Sequence, residues 1–234
     1  MRYHLIIPAA GSGRRFAAST PKQYAALAGS TVIERAMACF ADDVDCASIT
    51  VAISPGDEHW PAVAARHPGI GAVNGGEQRA HSVRNALRAL AATRSPEDWV
   101  FVHDAARPCF SRDDLARLKH VLGGHAVGGL LAVPLADTLK RGAGEIAEVE
   151  ATLDRSNLWR AATPQVFRLG VLLPALDAAL NANRLPTDES QAVEWAGHRP
   201  RLVPGRADNI KVTTQDDLAL ASAILAARSN ILRD

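Results

Sequence analysis

Little in this sequence points towards a membrane, a nucleic acid or a disulfide scaffold. No apolar stretch reaches the roughly twenty residues that span a bilayer. The first residues show no charged-then-apolar signal pattern. The formal charge is only +1, so the basic excess of a nucleic-acid surface is missing, and any positive cluster has to be a local site. Cysteine is scarce: Cys39, Cys46 and Cys109 show neither metal-ligand spacing nor even pairing. They read as small core residues in a reducing compartment, so a cytoplasmic location is expected. The eight histidines fall at no zinc-like spacing. Internal repeats and low-complexity segments are absent as well.

What is present is a chain of 234 residues, 47% apolar and 22% charged, enough for one large domain with a full core. Apolar runs alternate with helical patterns. Tyr3–Pro8, Ser48–Ser54, Trp99–Asp104, "LLAVP" and "RLVPG" read as strands. Helices are expected over Val32–Asp42, Asp57–Arg66, the segment opened by "GGEQRAHSV", Ser111–Leu122, Leu169–Asn181, Glu189–Ala196 and from Gln215 onward. Thr31 with Glu34 has capping-box spacing, and Ser111 with Asp114 and Thr214 are further caps. This alternation predicts an α/β fold with a mainly parallel sheet and helices on both faces.

The rhythm breaks between Pro134 and Thr163. Two short segments, "DTLKR" and "EIAEVEATL", flank Gly142 and Gly144 and read as a β-hairpin leaving the domain body. A lone hairpin is marginal in water. The arm, 134–163 of a single domain 1–234, is therefore expected to pack against something, foremost the same arm of a second subunit.

Three stretches carry chemistry. "PAAGSGRRF" leaves the first strand through Gly11 and Gly13. A dinucleotide turn needs a third glycine or alanine where Phe16 stands, and a P-loop needs Gly-Lys-Ser/Thr where two arginines stand. A tight turn with solvated arginines fits the same letters. With "PKQY" following, however, Arg15 and Lys22 put two cations on one loop at the carboxyl edge of a sheet, which suits a polyphosphate. "VFVHDAARP" ends a strand at Asp104, with Arg107 close behind. This carboxylate either opens a turn or, with substrate phosphates, carries Mg²⁺. His103 reads as structural. In "GRADNIKVTTQDDL", Lys211 lies in a short β-like run, as a solvated lysine or a third cation of the site.

These blocks, with "DTLKR", "DRSNLWRAATPQVF" and "TDES", follow in order over almost the whole chain. Together they resemble the 2-C-methyl-D-erythritol 4-phosphate cytidylyltransferase family of non-mevalonate isoprenoid biosynthesis. The resemblance implies a Rossmann-like domain, a Mg²⁺-dependent reaction between CTP and methylerythritol phosphate, and a homodimer with interlocked β-arms. It also implies roles. Ala9, Ala10, Gly11 and Gly13 would hold the nucleotide, Arg15, Lys22 and Lys211 would be catalytic, and Gly76, Arg79 and Ser82 would face the cytosine end. Asp104 would bind the metal, with Ala105 and Arg107 lining the same site. Thr138 and Arg155 on the arm, with Thr163 and Thr187, would contact the acceptor. Ala80 departs from many relatives, which carry glutamine there. A pentitol-phosphate cytidylyltransferase would share the glycine loop, the "PKQ" block and the aspartate, so acceptor choice rests on the arm.

Overall fold

The computed structural model describes residues 1–11, 16, 20–144 and 148–231. The first half of the chain runs through β1 (Tyr3–Pro8), a 3-10 turn (Lys22–Tyr24), β2 (Ala26–Leu27), β3 (Ser30–Thr31), α1 (Val32–Ala41), β4 (Cys46–Ile53), α2 (Trp60–Arg66), β5 (Gly71–Asn74) and α3 (Arg79–Ala91). The second half adds β6 (Trp99–Val102), α4 (Arg112–Leu122), β7 (Gly128–Pro134), β8 (Leu139–Ala143), β9 (Glu148–Leu153), β10 (Trp159–Arg168), α5 (Leu169–Asn181), α6 (Glu189–Trp195), β11 (Arg201–Pro204) and α7 (Gln215–Ile231).

Seven strands form one sheet in the order β11-β7-β10-β6-β1-β4-β5. Only β10 runs against its neighbours; the β11–β7, β6–β1, β1–β4 and β4–β5 pairs are parallel. The central strands β1 and β6 are buried along almost their whole length, as strands between two helix layers must be. Alternation along β1 sorts the core. Tyr3, Leu5 and Ile7 pack with α1, α2 and α4, whereas Ile6 packs with α3, α5 and α6. A third apolar cluster joins Phe16, Leu27, Val32, Cys109, Val212 and Ala221, and so ties α7 to the start of α1.

The caps form as their spacing predicts. The Glu34 N–H donates to Thr31 Oγ1 at 3.5 Å and the Thr31 N–H to Glu34 Oε2 at 2.9 Å. Ser111 Oγ accepts from the Asp114 N–H at 3.2 Å, and Thr214 Oγ1 from the Asp217 N–H at 3.3 Å. The helix expected from Asp57 starts only at Trp60, because the Asp57 carboxylate takes the N–H groups of His59 and Trp60 and makes a turn first. The three cysteines are free thiols, and burial pushes Cys46 and Cys109 up to about 11, as inert core thiols.

The arm is a separate antiparallel pair, β8 with β9, in which Leu139 lies opposite Leu153 and Ala143 opposite Glu148. It ends sooner than the sequence pattern suggests. From Trp159 the chain is already β10, a strand of the central sheet whose own pattern does not mark it as one, because "WRAATPQVFR" mixes polar residues and a proline into its run. The β-like run at Lys211 is not a strand either; residues 205–214 have no regular structure and are held by side chains instead. No helix among the described residues is long and apolar enough to cross a membrane.

Candidate active site

Parallel strands point their carboxyl ends the same way, so the segments after β1, β5 and β6 open onto one edge of the sheet. There they enclose a cleft of about 670 Å³. Ala9, Ala10 and Gly11 form one wall, Gly76, Arg79 and Ser82 another, and Asp104 with Ala105 the floor; Lys22 and Lys211 close the rim. Ten of the positions singled out in the sequence thus meet around a single space. Gly13 and Arg15 lie outside the described residues.

The first wall is shaped by groups the sequence reading did not assign. Buried Gln23 donates through Nε2 to the Ala9 carbonyl at 2.9 Å and the Gly11 carbonyl at 3.4 Å. Ser54 Oγ donates to the Ala10 carbonyl at 2.9 Å. Three consecutive carbonyls of the turn each accept a side-chain donor, which fixes the orientation of its peptides. The signal for Gln23 lay inside "PKQY", where only the lysine had an evident task. Across the cleft, Ser82 Oγ accepts from the Gly76 N–H at 3.0 Å. A side chain at Gly75 would collide with Ala10 and Ser82, so glycine there lets the two walls approach. Ala80 is buried in the apolar cluster beneath α3, turned into the core with Val83 and Leu87.

Asp104, 7% exposed, anchors the floor. Its Oδ1 accepts from Arg79 Nε at 3.0 Å, while its Oδ2 lies 2.9 Å from Lys211 Nζ and 3.6 Å from Arg107 Nε. Burial alone would push this carboxyl up. The charges of Arg79, Lys211 and Arg107 outweigh that and hold it well below the usual carboxylate range, so it is ionised at neutral pH. Arg79 also forks onto Glu189, with Nη1 2.6 Å from Oε1 and Nη2 3.0 Å from Oε2. Glu189 was not singled out from the sequence, because the partner that explains it lies 110 residues away.

The irregular segment carrying Lys211 is fastened beside the cleft by hydrogen bonds from several parts of the chain. Arg107 Nη1 donates to the Asn209 carbonyl at 2.7 Å, and Asn209 Nδ2 to the Thr163 carbonyl at 2.9 Å. The Val212 N–H donates to the Ala106 carbonyl at 2.8 Å, and Lys22 Nζ to the Val212 carbonyl at 3.1 Å. Lys22 and Lys211 are thereby brought to one rim from opposite ends of the chain.

The remaining acceptor-site candidates lie elsewhere. Thr163 sits behind Asp104, where its Oγ1 accepts from the Asp104 N–H at 3.0 Å and lies 3.0 Å from His103 Nδ1. His103 Nε2 faces the Arg107 carbonyl at 3.1 Å, so Nε2 carries the proton and Nδ1 accepts from Thr163. Burial pushes this imidazole down to about 4 and keeps it neutral, a structural histidine as expected. Thr187 is exposed at the start of α6, its N–H donating to Gln191 Oε1. Thr138 and Arg155 are exposed at the base of the arm and do not line the cleft of their own chain.

The family model described as IspD, 2-C-methyl-D-erythritol 4-phosphate cytidylyltransferase, matches residues 3–227. A protein of that name from Pseudomonas entomophila is 52% identical over 215 residues, 91% of each chain. A crystal structure of a 4-diphosphocytidyl-2C-methyl-D-erythritol synthase superposes with a TM-score of 0.85 at 38% identity, covering 96% of this chain and 100% of the other. The Francisella tularensis 2-C-methyl-D-erythritol 4-phosphate cytidylyltransferase gives 0.82 at 39%, with the same coverage.

The Thr163 bonds generate a prediction. Thr163→Val strips the acceptor from one buried N–H and the donor from one buried imidazole, and is expected to cost about 1–3 kcal/mol of stability. Urea unfolding followed by tryptophan fluorescence measures it. With its cleft, its ordered sequence blocks and these relatives taken together, the chain belongs to the 2-C-methyl-D-erythritol 4-phosphate cytidylyltransferase family.

Proposed function

We propose that the cleft transfers a cytidylyl group from CTP to 2-C-methyl-D-erythritol 4-phosphate, with pyrophosphate as the second product. The observation that carries this reading is one buried carboxylate, Asp104, set among Arg79, Arg107 and Lys211 beside a glycine-lined turn. An oxygen of the acceptor phosphate attacks the α-phosphorus of CTP, and the bond from that phosphorus to the bridging oxygen of the β-phosphate breaks. A phosphate monoester with a second pKa near ~6 is already largely dianionic at neutral pH, so no general base is needed. The obstacle is repulsion between two anions, and the site's cations offset it. One cation–anion pair at 4 Å contributes about 4 kcal/mol at an effective dielectric near 20. Lys22 and Lys211, on the rim, are the groups that follow charge onto the leaving pyrophosphate.

Magnesium dependence fits the same floor. No cluster of three acidic, histidine or cysteine ligands exists among the described residues. Mg²⁺ needs none, since one carboxylate with substrate phosphates and water suffices. Asp104 would hold the ion, which would supply charge neutralisation along the triphosphate. The arm supports a homodimer: β8 and β9 are largely exposed, Val149 is 64% exposed, and a hairpin of two strands is marginal by itself. Thr138 and Arg155 would then reach the acceptor of the neighbouring subunit.

The direct test is pyrophosphate release from CTP and Mg²⁺ with either 2-C-methyl-D-erythritol 4-phosphate or ribitol 5-phosphate. Release with the first alone is expected, and release with the second alone keeps the chemistry but replaces the acceptor. Lys211→Ala is expected to lower kcat about a hundredfold while CTP binding by calorimetry shifts no more than about threefold. A change confined to KM would assign Lys211 to ground-state binding. Mixing Arg155→Ala with Lys22→Ala subunits should restore activity in heterodimers, each of which holds one intact site; inactive, verified heterodimers would place the arm's function within its own chain.

A further inference from the structure

The Glu189–Arg79 pair invites a question that the transfer reaction does not answer. Glu189 is 1% exposed, and withdrawing a carboxylate from water costs several kcal/mol before any pairing offsets it. If the pair served only to join α3 to α6, apolar contacts would do so more cheaply, and Val83, Leu87, Ala192 and Val193 already pack there. What the pair adds is orientation. Both Nη groups of Arg79 are forked onto Glu189, which fixes the guanidinium plane and turns Nε onto Asp104 Oδ1.

Glu189 is itself braced. Gln165, buried on β10, donates through Nε2 to Asp188 Oδ2 at 2.9 Å and accepts from the Ser190 N–H through Oε1 at 2.7 Å. The residues on either side of Glu189 are thus pinned to the sheet by one side chain. We propose that Glu189 is a positioning residue: it holds Arg79 on Asp104 Oδ1, so that only Oδ2 is presented towards Lys211 and the cleft. Without that hold, Arg79 has a competing partner as soon as a triphosphate enters, because a freed guanidinium binds phosphate as readily as carboxylate. The inference rests on the reading of Asp104 as the working carboxylate of the transfer site.

The test compares wild type, Glu189→Gln, Arg79→Lys and the double variant at a temperature where each is folded by circular dichroism. Glu189→Gln keeps the shape and loses the charge. Its kcat is expected to fall about tenfold or more, in line with a misplaced reacting group, while CTP affinity by calorimetry stays within about threefold. Because both single variants break one chain of contacts, the double variant is expected to lose no more than the worse of them. Unchanged kcat in Glu189→Gln, or losses that multiply in the double variant, would overturn the proposal.

A measurement on unaltered enzyme stands beside these in case the variants do not fold. In ¹⁵N spectra of the arginine side chains, the forked pair should hinder rotation and resolve the Arg79 Nη protons, and they should stay resolved when CTP is added. Their collapse into an averaged signal on CTP addition would mean that Arg79 leaves Glu189, against the proposal. Failure of wild type itself to turn over would instead count against the transfer reading, so the two failures are distinguishable.

Discussion

A charge taken out of water has to be matched by charge, and at the end of β6 the two helix layers leave Asp104 almost no water. Its match comes from three places: Arg79 on the first turn of α3, Arg107 on its own turn, and Lys211 on the strandless segment before α7. The first turn of α3 is held by its apolar packing, and the segment of Lys211 by the bonds of Asn209 and Val212. Of these cations, Arg79 and Lys211 also line the cleft. A site that stabilises its own buried anion in this way is prepared for a larger, external one.

Behind these ions lies a layer of neutral hydrogen bonds that sets angles rather than charge. Thr163, His103 and the Arg107 carbonyl form one run, ending on the Asp104 N–H. Gln23 and Ser54 form another, on the carbonyls of the glycine turn. Such runs are stable only when every member is satisfied. The aromatic packing under them is equally specific: Phe40 stacks on Phe110 with centroids 4.8 Å apart and lies 5.3 Å from His103, so α1 supports the floor of a site it never touches.

Most of the sheet and all the long helices could be read from the sequence, because periodicity and caps are local. Val32–Ala41 follows from Thr31 and Glu34, and Tyr3–Pro8 from an unbroken apolar run. Strand Trp159–Arg168 was hidden because its pairing with two distant strands, not its own pattern, makes it a strand. The site divides along the same line. Glycines, lysines and Asp104 stand out by type and by place at a strand end. Glu189, Gln23 and Asn209 have meaning only through partners far along the chain, and the bonds of Thr163 to Asp104 and His103 are likewise visible only once the chain is folded.

The register of β7 and β10 carries a consequence of its own. Pro134 lies directly opposite Trp159, and Val133 opposite Arg160. The arm therefore departs from the sheet and returns to it at one rung of a ladder. Closing a longer or shorter loop at a fixed rung changes the chain entropy only slowly with length. The arm behaves as a detachable module: its sequence and length can drift while the strands that carry Asp104 and the glycine turn keep their register. The arm and the strand ends that carry Asp104 and the glycine turn are thus parts of the fold free to evolve at different speeds.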